Sequence, residues 1–137
     1  VRYFIFALIF LLTGCAQEQT AEQALSRYLE LSDAGLPQQF DQVLTGQAME
    51  AAMQADDVLA ELDLIQSGQT EFFDLEQTRE DSWIFCLDVS DTKIFDQSGN
   101  DLTPPNRPTQ LPMMMKVDSS GSATKITQLE IRRLQSC

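Results

Sequence analysis

Residues 82–90 read Ser-Trp-Ile-Phe-Cys-Leu-Asp-Val-Ser. Trp83, Phe85, Leu87 and Val89 alternate with Ile84, Cys86, Asp88 and Ser90, the period of two that sends successive side chains to opposite faces of a strand. Both sets are apolar as far as Cys86, so the strand is expected at the centre of a sheet, covered twice along its first half. Glu80-Asp81 before it reads as a turn, and Glu71 to Gln77 as its partner strand. Beyond it, Lys93 to Phe95 continues the strand or begins an edge piece, Asp96 to Asp101 is a turn, and three prolines between Thr103 and Pro108 deny regular structure. Leu111, Met113, Met115 and Val117 then share one face of a further strand, whose start Pro112 places near an edge. After the turn Asp118–Gly121 a last strand runs from Thr124 to Leu134, with Leu129 and Ile131 on one face and Ile126 and Leu134 on the other.

Upstream of Gly68 the period is helical. Thr20 with Gln23 three residues on makes a capping box, and Ala21, Ala24, Leu25, Tyr28 and Leu29 recur at helical spacing, which predicts a helix over Ala21 to Ala34. Pro37 suits a first helical turn, and Phe40, Val43 and Leu44 form a stripe before Gly46, so a short second helix follows. A third amphipathic helix is expected from Gln47 to Gln66, with Asp56-Asp57 as a potential break and Gly68 as its end. Helices followed by a run of antiparallel strands mean an α+β domain over residues 20–137, its N-terminal helices packed on one side of a bent antiparallel sheet.

That order, with Cys86-Leu87-Asp88 in its middle, the Asp96 to Gly99 turn and a Pro-rich loop containing Arg107, resembles small secreted lipoproteins with the cone-shaped fold of nuclear transport factor 2 and ketosteroid isomerase. The final strand has Ile126 and Leu129 where members often carry Trp. The resemblance implies a pocket between helices and sheet, where the enzymes of the group place an Asp base. Asp88 is the candidate in this chain, weighed against an ordinary strand-end carboxylate that caps or pairs. Tyr28 and Trp83 are candidates to line such a pocket, weighed against plain core roles.

The first fifteen residues carry a second resemblance. Arg2, an apolar run from Phe4 to Leu12, and Leu12-Thr13-Gly14-Cys15 stand in the order of a bacterial lipoprotein signal peptide with its lipobox. The resemblance implies cleavage between Gly14 and Cys15, a diacylglyceryl group on the Cys15 thiol and palmitate on the mature protein. Residues 1–14 are then the signal peptide and residues 15–19 the lipidated Cys and its tether. The apolar run is far short of the roughly 20 residues that span a bilayer, whereas two acyl chains anchor stably. The expected partner is therefore the membrane, through covalent lipid on Cys15. The body lies on the extracytoplasmic face, and in the outer membrane if the host has one, since Ala16 replaces the Asp of lipoproteins retained in the inner membrane.

Using Cys15 for lipid leaves Cys86 and Cys137, an even pair in an oxidising compartment, and a disulfide between them is expected. Formal net charge is −12, falling to −13 when Arg2 leaves with the signal peptide. No basic footprint for a phosphate backbone remains, so nucleic acid is excluded as a partner. The chain has no His, which removes the commonest general base and metal ligand. Asp96, Ser98 and Asp101 offer oxygens of the sort Ca²⁺ accepts, but the Gly is fourth rather than sixth in the run, and a hairpin turn is the preferred reading. No cofactor is expected. Residues 18–101 hold 19 acids against three bases, and residues 102–137 two acids against five bases. The expectation is a non-catalytic binding or accessory module of the cell envelope, meeting another envelope protein or a small apolar ligand. The alternatives are an isomerase-like pocket enzyme using Asp88, and a purely structural envelope lipoprotein.

Overall fold

The computed structural model of the protein describes residues 20–137. The signal-peptide and lipobox expectations, with Gly14 and Cys15, lie outside the described residues. In chain order the elements are α1 (Ala21–Asp33), a 3₁₀ turn (Pro37–Gln42), α2 (Gly46–Glu61), β1 (Leu64–Ser67), β2 (Glu71–Arg79), β3 (Ser82–Asp88), β4 (Lys93–Asp96), β5 (Gln110–Asp118) and β6 (Lys125–Ile131). The chain is α+β, with an open antiparallel sheet of order β2-β3-β5-β6 and a separate two-stranded ribbon of β1 with β4.

Directly opposed residues of antiparallel strands share a face. β3 and β5 pair Trp83 with Met115, Phe85 with Met113 and Leu87 with Leu111, which concentrates six large apolar side chains on one side. That side is covered by Ala24, Leu25 and Leu29 of α1 and by Phe40, Val43 and Leu44 from the 3₁₀ turn and the residues after it. α1 starts as its sequence implies: the Thr20 side chain accepts from the Gln23 backbone N–H, and the Gln23 side chain accepts from that of Thr20. Val43 and Thr45 also bridge to the outer edge of β6 near its start, where Ile126 N–H donates to Val43 O at 2.8 Å and Thr45 N–H to Ile126 O at 3.0 Å.

Four expectations are corrected. The second helix is a 3₁₀ turn. The third helix passes unbroken through Asp56-Asp57 but ends at Glu61: Asp63 takes φ 53, and Leu64–Ser67 leaves the helix to pair with Lys93–Asp96. This long-range ladder competes successfully with helical continuation, which local pattern could not reveal. In β6 the register shifts between Lys116 and Val117. The extra residue at Thr127 brings Ile126 round to the core side, fully buried, with Leu129, while Leu134 lies beyond the strand and is 96% exposed. Finally, β5 is an inner strand. Pro112 fits because its C=O faces Arg132 N–H at 2.7 Å, just past the end of β6. In an antiparallel ladder a residue's N–H points the same way as its C=O, so the missing donor faces no strand.

A second knot ties the loops at the far end of β3. Arg107 Nη2 donates to Val89 O at 2.8 Å and to Thr92 O at 2.5 Å, Gln69 N–H donates to Asp91 Oδ2, and the Asp33 carboxylate accepts from both Thr70 N–H and Thr70 Oγ1. Gly68 threads this knot at φ 102, where an added Cβ would stand 2.2 Å from Asp91 O. Gly68→Ala combines a left-handed backbone with a collision against main chain, and should lower unfolding stability by about 2–4 kcal/mol in urea titration, while Gly35→Ala, whose Cβ meets nothing within 4 Å, should cost about 1 kcal/mol.

Candidate functional site

α1 begins too late to cover the whole apolar face of the sheet. Beyond its first turn the ends of β2, β3 and β5 are left partly bare by the described residues, and there a cavity of about 830 Å³ forms against Thr20–Glu22, β2, Trp83 and the β5–β6 turn. Phe72, Leu75, Trp83 and Val117 line it and are all half-buried. β2 can offer both Phe72 and Leu75 to this side because its register with β3 shifts between Phe73 and Glu76, where Asp74 takes φ 54. A bulge of this kind adds one residue and re-aims its neighbours. The indole Nε1 of Trp83 is buried without a hydrogen-bond partner among the described residues. An unmet buried donor of that kind costs about 1–3 kcal/mol. Glu22, Asp74 and Glu80 also line the cavity, and among the described residues no Lys or Arg does.

Of the aromatic candidates, Trp83 therefore forms a wall of the cavity. Tyr28 packs edge-on against Phe40, centroids 5.4 Å apart, and burial raises the pKa of its phenol. Asp88 alternates with Phe85 and Leu87, so it stands on the sheet face turned away from the helices and outside this cavity. Its Oδ1 accepts from Ser90 N–H at 2.9 Å. Hydrogen bonds from Ser90, with a smaller contribution from Gln110, hold its carboxyl below the usual range, which makes it a weak proton acceptor. Sequence reading named Trp83 but missed the acids of the cavity, because Glu22, Asp74 and Glu80 are far apart in the chain and each reads as a solvated surface charge.

The Asp96–Asp101 run is a tight hairpin turn, with Gly99 at φ 84 and Gly99 N–H donating to Asp96 O. The Asp96 carboxylate is occupied within it, accepting from Ser98 N–H, Asn100 N–H and Asn100 Nδ2 at 2.8–2.9 Å. Asp101 accepts from Thr103 N–H and pairs with Lys93 at 3.4 Å, so its oxygens point to different tasks from those of Asp96. Among the described residues no three His, Cys, Asp or Glu converge on a possible metal position.

Cys86 and Cys137 are placed at bonding geometry, with Cα atoms 5.8 Å apart. After Ile131 the chain turns at Arg132–Gln135 and returns over β5 to reach Cys86, on the face opposite the helices. A further surface is set by α2 and β1. Val58, Leu62 and Ile65 are 46%, 61% and 55% exposed, and the acids Glu50, Asp57 and Glu61 stand exposed on the same helix.

No family model matches the chain, and no curated protein matches it. Among solved structures it is similar to the intermembrane space region of the chloroplast protein ARC6, with a TM-score of 0.55, 16% identity, and coverage of 81% of this chain and 92% of that one. At that identity the likeness concerns the α+β fold alone.

Two measurements follow from these groups. Closing 51 residues of chain should contribute about 4 kcal/mol in the chain-entropy account, so reduction should lower the melting temperature markedly, and non-reducing peptide mapping should recover Cys86 linked to Cys137. Asp88, Asp96, Asp101 and Asp118 are all held below the ordinary carboxylate value, chiefly by side-chain and backbone hydrogen bonds in their turns. Groups with depressed folded values stabilise above their unfolded value and lose that contribution as pH falls through the folded one. Thermal stability should therefore hold from pH 7 down to about 4 and decline below it, with the NMR titration midpoint of each Asp lying below that of an unfolded peptide.

Proposed function

We propose that the protein is a lipid-anchored, extracytoplasmic binding module of the cell envelope, non-catalytic, built on the cone-shaped fold of nuclear transport factor 2 and ketosteroid isomerase. The observation that carries this reading is the cavity beside Thr20, with its partly bare aromatic and aliphatic floor, since concave sites lined by half-covered apolar side chains and a few polar groups are the usual places where small ligands bind. The order of elements, helices first and then the bent antiparallel sheet, supports the cone. Asp88 turned away from the cavity supports binding over proton abstraction there.

Anchoring adds a geometrical consequence. Four residues lie between Cys15 and Thr20, a span of five residue steps, and an extended chain reaches at most about 3.6 Å per step, so the mouth of the cavity would sit within about 18 Å of the acylated cysteine. A net −13 body is repelled by anionic lipid, which suits a domain held off the surface by its tether. The acid-flanked stripe of α2 supports contact with a cationic neighbour as the accessory part of the role, and tethering raises the effective concentration of any such neighbour.

Cys15→Ser tests the anchor, because only a thiol forms the diacylglyceryl thioether. The variant should remain an uncut precursor that incorporates no labelled palmitate. Labelling of the variant equal to that of the natural chain would sink the proposal.

A further inference from the structure

We infer that the cavity beside the start of α1 is selective for ligands that join a cationic amine to an apolar segment. The inference rests on the binding-module reading and names the chemistry that the site would accept.

Three features of the wall point the same way. The floor is apolar and incompletely covered: Phe72, Leu75 and Val117 are half-buried around Trp83, so an aliphatic or aromatic segment entering there would remove apolar surface from water. Every charged side chain in the lining among the described residues is acidic, Glu22 from α1, Asp74 from the bulge of β2 and Glu80 from the β2–β3 turn. Among the described residues the ion pairs are Arg27 with Glu30 and Lys93 with Asp101, so none of these three carboxylates is paired with a base among them. The third feature is the indole, whose face attracts an ammonium group electrostatically.

These features exclude other ligand charges. An anionic amphiphile would meet three carboxylates from three separate elements, and a neutral one would use the floor but nothing of the rim. An amine uses both. The bulge supports this division of labour, because the same extra residue that turns Phe72 and Leu75 inward carries the Asp74 carboxylate at the rim. Asp is one of the few residues that occupies a positive φ readily.

Trp83 is the single tryptophan of the chain, so its emission reports on this cavity alone. The full chain, held in dodecyl maltoside, is titrated with hexylammonium, hexanoate and hexanol, chosen because all three are water-soluble. Hexylammonium should give a saturable emission change at a concentration at least tenfold below that of hexanoate, with hexanol between them. The triple variant Glu22→Gln, Asp74→Asn, Glu80→Gln should lose that preference. A remote triple variant, Glu30→Gln, Asp41→Asn, Glu130→Gln, removes the same charge from exposed positions outside the cavity and should keep it. Circular dichroism on both variants establishes that the fold persists. Equal responses to all three probes, or equal losses in both variants, would overturn the amine selectivity while leaving a binding module in place. Substrate turnover abolished by Asp88→Asn would instead overturn the non-catalytic reading, whatever the probes show. Adding phosphatidylethanolamine to the micelles locates the source of the amine: displacement of hexylammonium assigns a lipid headgroup, its persistence assigns a soluble amine, and either result upholds the chemistry.

Discussion

The apolar face made by β3 and β5 is the surface on which the other elements depend. Trp83, Phe85 and Leu87 lie directly across from Met115, Met113 and Leu111, and a face of that composition must be covered for the chain to remain folded. α1 covers its middle with Ala24, Leu25 and Leu29, and the segment Phe40 to Leu44 covers the side near β6. Fully burying a Leu contributes about 1.5–3 kcal/mol, so Leu25, Leu31 and Leu44, all at 1% exposure or less, are a large part of what holds helices to sheet. The face is longer than α1 can reach. What the described residues leave uncovered beyond Thr20 is the cavity.

The edges of the sheet are handled by different means at its two sides. β6 is met near its start by the Val43–Thr45 backbone, which takes up the N–H and the C=O of Ile126. β2 is left open, but its register with β3 is interrupted twice, between Phe73 and Glu76 and between Gln77 and Arg79. Bulges and charges along an edge oppose pairing with another chain, and here Glu71, Asp74 and Glu76 supply the charges. The same interruption shapes the cavity, so protection of the edge and construction of the site come from one irregularity. On the opposite face the segment after β6 returns to Cys86, and the Cys86–Cys137 pair ties it to the central strand.

Electrostatically the protein divides its acids into two kinds. Asp33, Asp88, Asp91, Asp96, Asp101 and Asp118 are engaged by turn or loop groups: Asp33 by Thr70, Asp91 by Gln69, and the other four by residues two to four positions on. They organise backbone. Glu22, Asp74 and Glu80 at the cavity, and Glu50, Asp57 and Glu61 on α2, are instead presented to solvent. Their effect is on what approaches, through a field that attracts cations over roughly a Debye length of 8 Å at physiological salt.

Much of the architecture was legible in the residues themselves, because it follows from interactions that are short in sequence. The Thr20–Gln23 capping box starts α1, the alternation from Trp83 to Asp88 makes an inner strand, and Gly99 allows the hairpin turn. Three features escaped for a common reason. Leu64–Ser67 reads as the end of a helix until Lys93–Asp96 is brought alongside it. Ile126 reads as facing away from Leu129 until the bulge at Thr127 shifts the phase by one residue. The cavity gathers Glu22, Asp74, Trp83 and Val117 from four elements. Local pattern specifies which face of each element is apolar, whereas partner strands, bulge positions and the length of sheet left uncovered are set only when distant segments compete for the same hydrogen bonds and the same apolar surface.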